Sequence, residues 1–242
     1  DLFRSTSGGK AGAIDGLKRI RFTTSHPQDL SPELTDAFAT LQNLCEHLHL
    51  PVQSGADTVL ARMRRGYTRG EYLERIERLR KRRPEVALST DIIVGFPGET
   101  DAEFDQTLEL LKQVQYDEIY SFSYSPRPQT VSAKIFDDDI PNNVKRDRLN
   151  TVQTLQREIS LNRNRQRIGN LEEILLDGQS KLKNGQIMGR TRGNRIVNVR
   201  CPANLLGRLI PVRITGATAN SLMGEPLLDK FDLKSQSEGD MA

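Results

Sequence analysis

Ser89-Thr90-Asp91-Ile92-Ile93-Val94-Gly95-Phe96-Pro97-Gly98-Glu99-Thr100 is the stretch that decides the fold. The run Ala87 to Val94 is short, apolar and β-branched, the pattern of a buried strand. Gly95, Pro97 and Gly98 then break it. Thr100 and Glu103 stand three residues apart, the spacing of a capping box, and Phe104, Leu108 and Leu111 follow at helical spacing. Strand, glycine-rich turn and capped helix make one βα unit. In α/β barrels, ligands sit at the loops leaving the C-terminal ends of strands. Gly95 and Gly98 would let a ligand approach the backbone closely; the alternative is a tight turn that needs glycine for its own geometry.

Outward from this unit the same order repeats. Ile20 to Thr24 reads as a strand ending at Ser25-His26-Pro27, and Ser31-Pro32-Glu33 starts a helix with serine as N-cap. His47 to Val52 alternates as a strand and runs into Gln53-Ser54-Gly55. A short helix covers Asp57 to Met63, and Thr68 with Glu71 opens another whose apolar face is Tyr72, Ile76 and Leu79. Beyond the central unit, Ile119 to Tyr124 alternates as a strand and ends at Ser125-Pro126-Arg127-Pro128. Val144, Val152, Leu155 and Ile159 line a long basic helix ending near Arg167. Strands alternating with helices imply a parallel sheet. The polar clusters Ser25-His26, Gln53-Ser54, Glu99-Thr100 and Ser125-Arg127 each follow a strand, so in a barrel they meet on one rim.

After Arg167 the texture changes. Glu173–Leu176, Ile187–Arg192, Arg195–Val199 and Leu209–Ile214 read as short strands, with turns at Asp177-Gly178, Asn184-Gly185, Gly193-Asn194 and Gly216. This predicts a small closed barrel of the OB kind. Residues 1–17 read as a loop, and the polar tail 231–242 as disordered.

The 242 residues carry a formal charge of only +3. From Arg163 to Asp229, however, eleven basic residues face five acidic ones, a surplus of six that exceeds the whole chain's. Such asymmetry points to a polyanion partner for the C-terminal part. Lys183, Arg190, Arg192, Arg195 and Arg200 crowd one predicted hairpin and its surroundings. A solvated charged face is the bland reading; RNA phosphates and unpaired bases are the sharper one. Mean hydropathy is −0.55 and no apolar run approaches a membrane span, so no membrane partner is expected. The start shows no apolar signal-peptide core. The two cysteines, Cys45 and Cys201, make neither a C-x-x-C pair nor a disulfide framework and fit a reducing, cytoplasmic setting.

Candidate site residues follow from the rim. Gln53 and Ser54 offer donors and acceptors suited to a ribose diol, or else satisfy their own loop. Asp91, inside its strand, is either a ligand contact or half of a structural ion pair. Glu99 suits a helix N-terminus. Arg127 is either a bidentate clamp for a carboxylate or phosphate or a solvated loop arginine. His26 reads as structural, His47 and His49 share a strand face without a third metal ligand, and Met63 reads as core.

The chain resembles the radical S-adenosylmethionine methylthiotransferases, specifically the MiaB-type tRNA branch. The residues that carry the resemblance are Arg21-Phe22-Thr23-Thr24-Ser25-His26-Pro27, His49-Leu50-Pro51-Val52-Gln53-Ser54-Gly55, Met63-Arg64-Arg65-Gly66-Tyr67-Thr68, Asp91 to Thr100, and Tyr124-Ser125-Pro126-Arg127-Pro128. Gly189-Arg190-Thr191 and Asn194-Arg195-Ile196-Val197-Asn198 resemble the family's RNA-binding TRAM domain. Pro128-Gln129-Thr130 departs from the family, which usually has a glycine before this threonine.

The resemblance implies an α/β fold: a partial radical SAM, TIM-like β/α barrel over residues 1–166, then an all-β OB-like TRAM barrel over 167–230. It implies S-adenosylmethionine as the small-molecule cofactor, held by Gln53, Ser54, Asp91, Gly95, Gly98 and Arg127, and two 4Fe–4S clusters in the full-length enzyme. The cluster-binding cysteines belong to an N-terminal region of the same enzyme, so this chain is expected to be inactive alone, with no catalytic or metal-ligating residue of its own. The reaction implied is radical methylthiolation at carbon 2 of an isopentenyl-adenosine beside the tRNA anticodon. The alternatives are a threonylcarbamoyl-adenosine tRNA, a ribosomal-protein aspartate, or a non-catalytic RNA-binding module.

Overall fold

The computed structural model describes residues 14–24, 26–127, 131–180 and 185–228. Ser25, Lys183, the loop 128–130 and the tail 231–242 therefore lie outside the described residues, as does most of the expected N-terminal loop. The chain divides into two compact units, Asp1–Ser160 and Leu161–Ala242.

In the first unit the elements run α1 (Pro32–Thr40), β1 (His47–His49), α2 (Asp57–Arg62), α3 (Arg69–Arg82), β2 (Ala87–Val94), α4 (Asp101–Val114), β3 (Glu118–Ser123) and α5 (Val131–Ile135). The helix α6 (Asn142–Arg165) begins here and runs on past the boundary. Local chemistry sets the helix starts. Ser31 Oγ accepts from the Leu34 N–H, and both capping boxes, Thr68 with Glu71 and Thr100 with Glu103, are complete. The three strands pair in parallel in the order β1-β2-β3. The expected strand at Ile20–Thr24 is reduced to isolated parallel bridges, Ile20 to Leu44 and Thr23 to His49.

Register sorts the side chains by face, because paired residues in a parallel sheet point the same way. Leu48, Leu50, Leu88, Ile92 and Val94 turn to one side. They form a core with Tyr72 and Leu79 of α3, Leu110 and Leu111 of α4, and Val152 and Ile159 of α6. Polar groups that enter this core are satisfied: Tyr72 Oη donates to the Leu50 carbonyl at 2.9 Å, and Tyr116 Oη donates to Tyr72 at 2.8 Å. The other face carries His49, Ser89, Asp91, Tyr120 and Phe122, since His49 pairs with Ser89, Asp91 with Tyr120 and Ile93 with Phe122.

The second unit is a closed barrel of β4 (Leu171–Gln179), β5 (Ile187–Thr191), β6 (Ile196–Val199), β7 (Leu209–Ala217) and β8 (Leu222–Pro226) in the order β4-β5-β6-β8-β7. Inward residues such as Ile174, Leu176, Val197, Val199, Val212 and Ile214 fill it. Sequence reading finds the first four strands but not β8. Gly224 and Pro226 depress its strand propensity; its hairpin with β7 and its parallel pairing with the more distant β6 close the barrel.

Candidate functional site

A cleft of about 830 Å³ opens in the first unit, at the C-terminal ends of its strands. Gln53, Asp91, Ile93, Ser123 and Tyr124 line it from the strands and their exits. Phe96, Phe122 and Phe136 add aromatic wall, and Arg62, Arg64, Arg65 and Arg127 add positive charge. Three of the six expected cofactor residues, Gln53, Asp91 and Arg127, thus share one cavity. The other three stand behind it.

Gln53 is held where the chain leaves the sheet. Its N–H donates to the Asp91 carbonyl at 2.9 Å and its carbonyl accepts from the Ile93 N–H at 2.9 Å. These bonds impose φ +74° on a residue that is not glycine. Arg64, also on the cleft, has φ +56°. The other two non-glycine residues of positive φ among the described residues are Gln115, the cap of α4, and Asn194, in the β5–β6 turn. Those are ordinary uses of left-handed backbone. Arg64 is a further such use, since it follows the cap of α2 and its N–H and that of Arg65 close the helix on Ala61 and Leu60. Gln53, at a strand exit on the cavity, is not, and such strain gathers at functional sites.

Asp91 sits within 3.5 Å of His49 Nε2. His49 Nδ1 lies 3.0 Å from Ser89 Oγ, which lies 3.2 Å from His47 Nε2. The two histidines that share a strand face are therefore strung through Ser89 to the carboxylate on the cleft. The His49 ring meets Tyr120 edge-on at 5.7 Å.

Ser54 is fully buried and turned to the α4 side, where it shares Thr107 Oγ1 with the Gly55 N–H. Gly95 has φ +69°, and a Cβ there would overlap the Lys145 side chain of α6. The Gly95 N–H donates to Glu99 at 2.6 Å. Gly98, at φ +72°, donates its N–H to Asp139 at 2.8 Å and accepts from Arg62 at 3.3 Å. Neither glycine lines the cleft; both shape the turn behind it.

Glu99 is a buried pin. Its carboxylate accepts from Arg148 of α6 at 2.9 Å, and the same guanidinium reaches Asp101 at 2.7 Å. Burial drives the Glu99 carboxyl above its ordinary range, although Gly95 and Arg148 pull the other way. For Glu103, burial alone would raise the carboxyl, but bonds from Arg62, Thr58 and the Thr100 N–H outweigh it and lower the group to about 2. Arg62 is thereby tied down at the cleft edge, 3.1 Å from Glu103.

His26 is structural, as expected: its Nε2 lies 2.9 Å from the Arg65 carbonyl and its Nδ1 accepts from the Gln28 N–H at 3.3 Å. Met63 packs against the small cluster of Ala56, Val59 and Phe96 and also lines the cleft. Sequence reading singled out neither Arg64 nor Arg65 as a site residue. Their signal was the doublet before Gly66, which becomes informative only once the cleft is assembled.

In the second unit Arg190 lies on β5, Arg192 and Arg195 lie in the turn to β6, and Arg200 follows β6 and is exposed. Arg190 is half-committed, with Asp177 at 3.3 Å and the Asn194 carbonyl at 3.3 Å.

Residues 7–111 match the model of the radical SAM superfamily. Residues 165–227 match the TRAM domain. The radical SAM and TRAM chain is 52% identical over 216 residues to the tRNA-2-methylthio-N(6)-dimethylallyladenosine synthase of Syntrophotalea carbinolica, covering 89% of this chain and 49% of that protein. It is 53% identical over 213 residues to the protein of the same name in Geobacter metallireducens, covering 88% and 48%. With the corresponding Clostridium botulinum protein it shares 45% identity over 90% of this chain and 48% of that one. The chain spans about half the length of these curated relatives. The resemblance to MiaB-type enzymes read from the motifs holds.

Tyr124 Oη is buried at the cleft wall and has no hydrogen-bond partner among the described residues. An orphaned hydroxyl of this kind calls for a polar ligand atom. With the Gln53 amide, the Asp91 carboxylate and the aromatic wall, the donor set and volume fit an adenosine-bearing cofactor. An iron–sulfur cluster does not fit this chain. It needs three or four thiolates, and the sequence has two, one buried in each unit or nearly so. No group of three metal-ligating side chains occurs among the described residues. No described helix is long and apolar enough to cross a membrane.

Proposed function

We propose that this chain is the cofactor-cradling and RNA-gripping part of a tRNA methylthiotransferase, which methylthiolates carbon 2 of an isopentenyl-adenosine beside the anticodon in the cytoplasm. The observation that carries the reading is a nucleoside-sized cleft, lined by the strained Gln53, on a chain about half identical to proteins named for that product.

S-adenosylmethionine, when bound, supplies the radical and the methyl group. This chain's residues bind, orient and exclude water. Gln53, fixed by two strand bonds, presents its amide to the ribose diol. Asp91, steadied by His49, which is itself held by Ser89, accepts from the cofactor's hydroxyl or amino groups. Phe96 and Tyr124, in edge contact at 4.9 Å, form the wall for its base. Arg127 clamps its carboxylate. Ser54, Gly95 and Gly98 hold the loops in place from behind. Arg190, Arg192, Arg195 and Arg200 meet tRNA phosphates, and Lys183 is assigned with them. No step is derived through a cluster, because the thiolates for one are not in this chain.

The test is to supply the gene, in its longest reading frame, to cells that lack the modification and to analyse their tRNA nucleosides by mass. A methylthio gain on isopentenyl-adenosine that disappears in a Gln53→Ala, Asp91→Ala variant supports the reading. No gain, or a gain on a ribosomal protein instead, overturns it.

A further inference from the structure

The turn after α2 holds two arginines that stand outside the ion pairs bracing the cleft. Arg62 is spent on Glu103 and Gly98, and Arg148 on Glu99 and Asp101. Arg64 and Arg65 line the same cleft, yet among the described residues neither guanidinium is paired with a carboxylate. Arg64 is exposed and Arg65 half-buried.

The backbone beneath them is fixed from several sides. The Arg64 N–H donates to Ala61 at 3.0 Å and the Arg65 N–H to Leu60 at 3.0 Å. His26 holds the Arg65 carbonyl at 2.9 Å, and Gln28 donates to the Gly66 carbonyl at 2.8 Å. Arg64 sits in the left-handed region, where glycine would sit without strain. It is the residue after the cap of α2, and its N–H bond and that of Arg65 close the helix in the common left-handed manner. That geometry fixes the backbone and asks for no particular side chain, so both guanidinium groups stand on a rigid base at the cleft mouth.

We propose that Arg64 and Arg65 grip consecutive phosphates of the RNA strand at the mouth of the radical SAM cleft, a second RNA contact separate from the TRAM unit. The inference rests on the tRNA reading above and deepens it. A guanidinium fork matches phosphate oxygens bidentately. Two adjacent cations suit a backbone with repeated charges better than the single carboxylate of a cofactor. Phe122, 54% exposed on the same cleft, offers a face on which a base beside those phosphates stacks. The strand would thus be held by its backbone while one base reaches into the cavity.

The experiment measures binding of an isopentenylated anticodon stem-loop to the longest form of the protein, from about 50 to about 200 mM salt, where each phosphate contact adds about 0.7 to 0.9 to the slope of log affinity against log salt. Arg64→Gly removes the side chain and relieves the backbone, so its melting temperature should hold or rise. Arg65→Lys keeps a charge but loses the fork, and Arg65→Ala loses both. The Arg64→Gly, Arg65→Ala double variant should bind RNA several-fold more weakly, with a slope shallower by about 1.5. S-adenosylmethionine binding by equilibrium dialysis should not move. An unchanged slope in the double variant overturns the proposal while leaving the tRNA reading intact if the wild type still modifies tRNA. Loss of cofactor binding with RNA binding intact also overturns it and assigns the pair to the cofactor's carboxylate. A wild type that neither binds nor modifies the RNA sinks the tRNA reading, and this proposal with it.

Discussion

The two units place charged groups in opposite ways. In the radical SAM unit the cleft residues come from turns that leave an open parallel sheet, and those turns are forced into shape. Gln53 has positive φ at a strand exit, and the Gly95–Glu99 turn is pinned through a buried ion pair to α6. In the TRAM unit the arginines stand on and around a hairpin of a closed barrel. Its one non-glycine residue of positive φ among the described residues is Asn194, a residue type that tolerates it. A cleft that must fix a small molecule needs positions held to fractions of an ångström, and distant contacts supply them. A surface that meets a flexible polyanion needs only charge at roughly the right spacing. Substitutions behind the cleft should therefore cost stability, and substitutions in the hairpin should cost little.

The sharpest test of that contrast is Arg148→Ala. It leaves Glu99 buried with its main partner gone and frees Asp101. Breaking a buried pair from one side costs about 3–5 kcal/mol, read as a shift in the urea midpoint at unchanged slope. Adding Glu99→Gln should return much of the loss, because an amide needs no counter-charge. If Arg148→Ala costs less than about 1 kcal/mol, the turn is not held as argued.

Glu103→Gln probes the same region through pH. The folded carboxyl lies at about 2, against an ordinary value of 4.5. A depressed acid contributes stability that is present above its unfolded value and lost as pH falls toward its folded value. The variant should therefore melt lower than wild type at neutral pH, by about 1 kcal/mol for a lost cap and ion pair. That gap should close as pH falls from 4.5 toward 2. Glu99 works in the opposite sense: its raised carboxyl favours the fold on acidification. A gap that stays constant with pH would mean that Glu103 acts by packing rather than charge.

What the sequence made legible follows the same line. β2 and both capping boxes were readable because their chemistry lies within a few residues: Thr100 and Glu103 stand three apart and bond to each other's backbone. That Gln53, Asp91 and Arg127 share one cleft was legible because polar residues that end parallel strands converge. The Glu99–Arg148 pin was missed because its partners are 49 positions apart and neither stands in a motif. Glu99 was read as a helix-terminus charge, whereas its carboxylate turns inward to Gly95 and Arg148. Arg64 and Arg65 were passed over as site residues because the cleft they line is assembled from distant segments, and His26, which secures the turn, is 39 residues from Arg65. β8 went unread for a different reason: its hairpin with β7 is local, but Gly224 and Pro226 hide it from a reading by strand propensity.

The smallest expected effect falls on the TRAM side. Asn194 has φ +66°, its N–H donates to the Thr191 carbonyl at 3.0 Å, and its side chain lies 3.4 Å from Arg190. Asn194→Gly removes a mild backbone penalty and a weak side-chain contact while freeing the unfolded chain. These effects oppose one another, so stability should stay within about 0.5 kcal/mol of wild type. RNA affinity should hold as well, since Arg190 keeps both the Asn194 carbonyl and Asp177. A melting shift as large as that of Arg148→Ala would show that the hairpin is as tightly determined as the cleft. The contrast between a forced pocket and a relaxed gripping surface would then be wrong at its root.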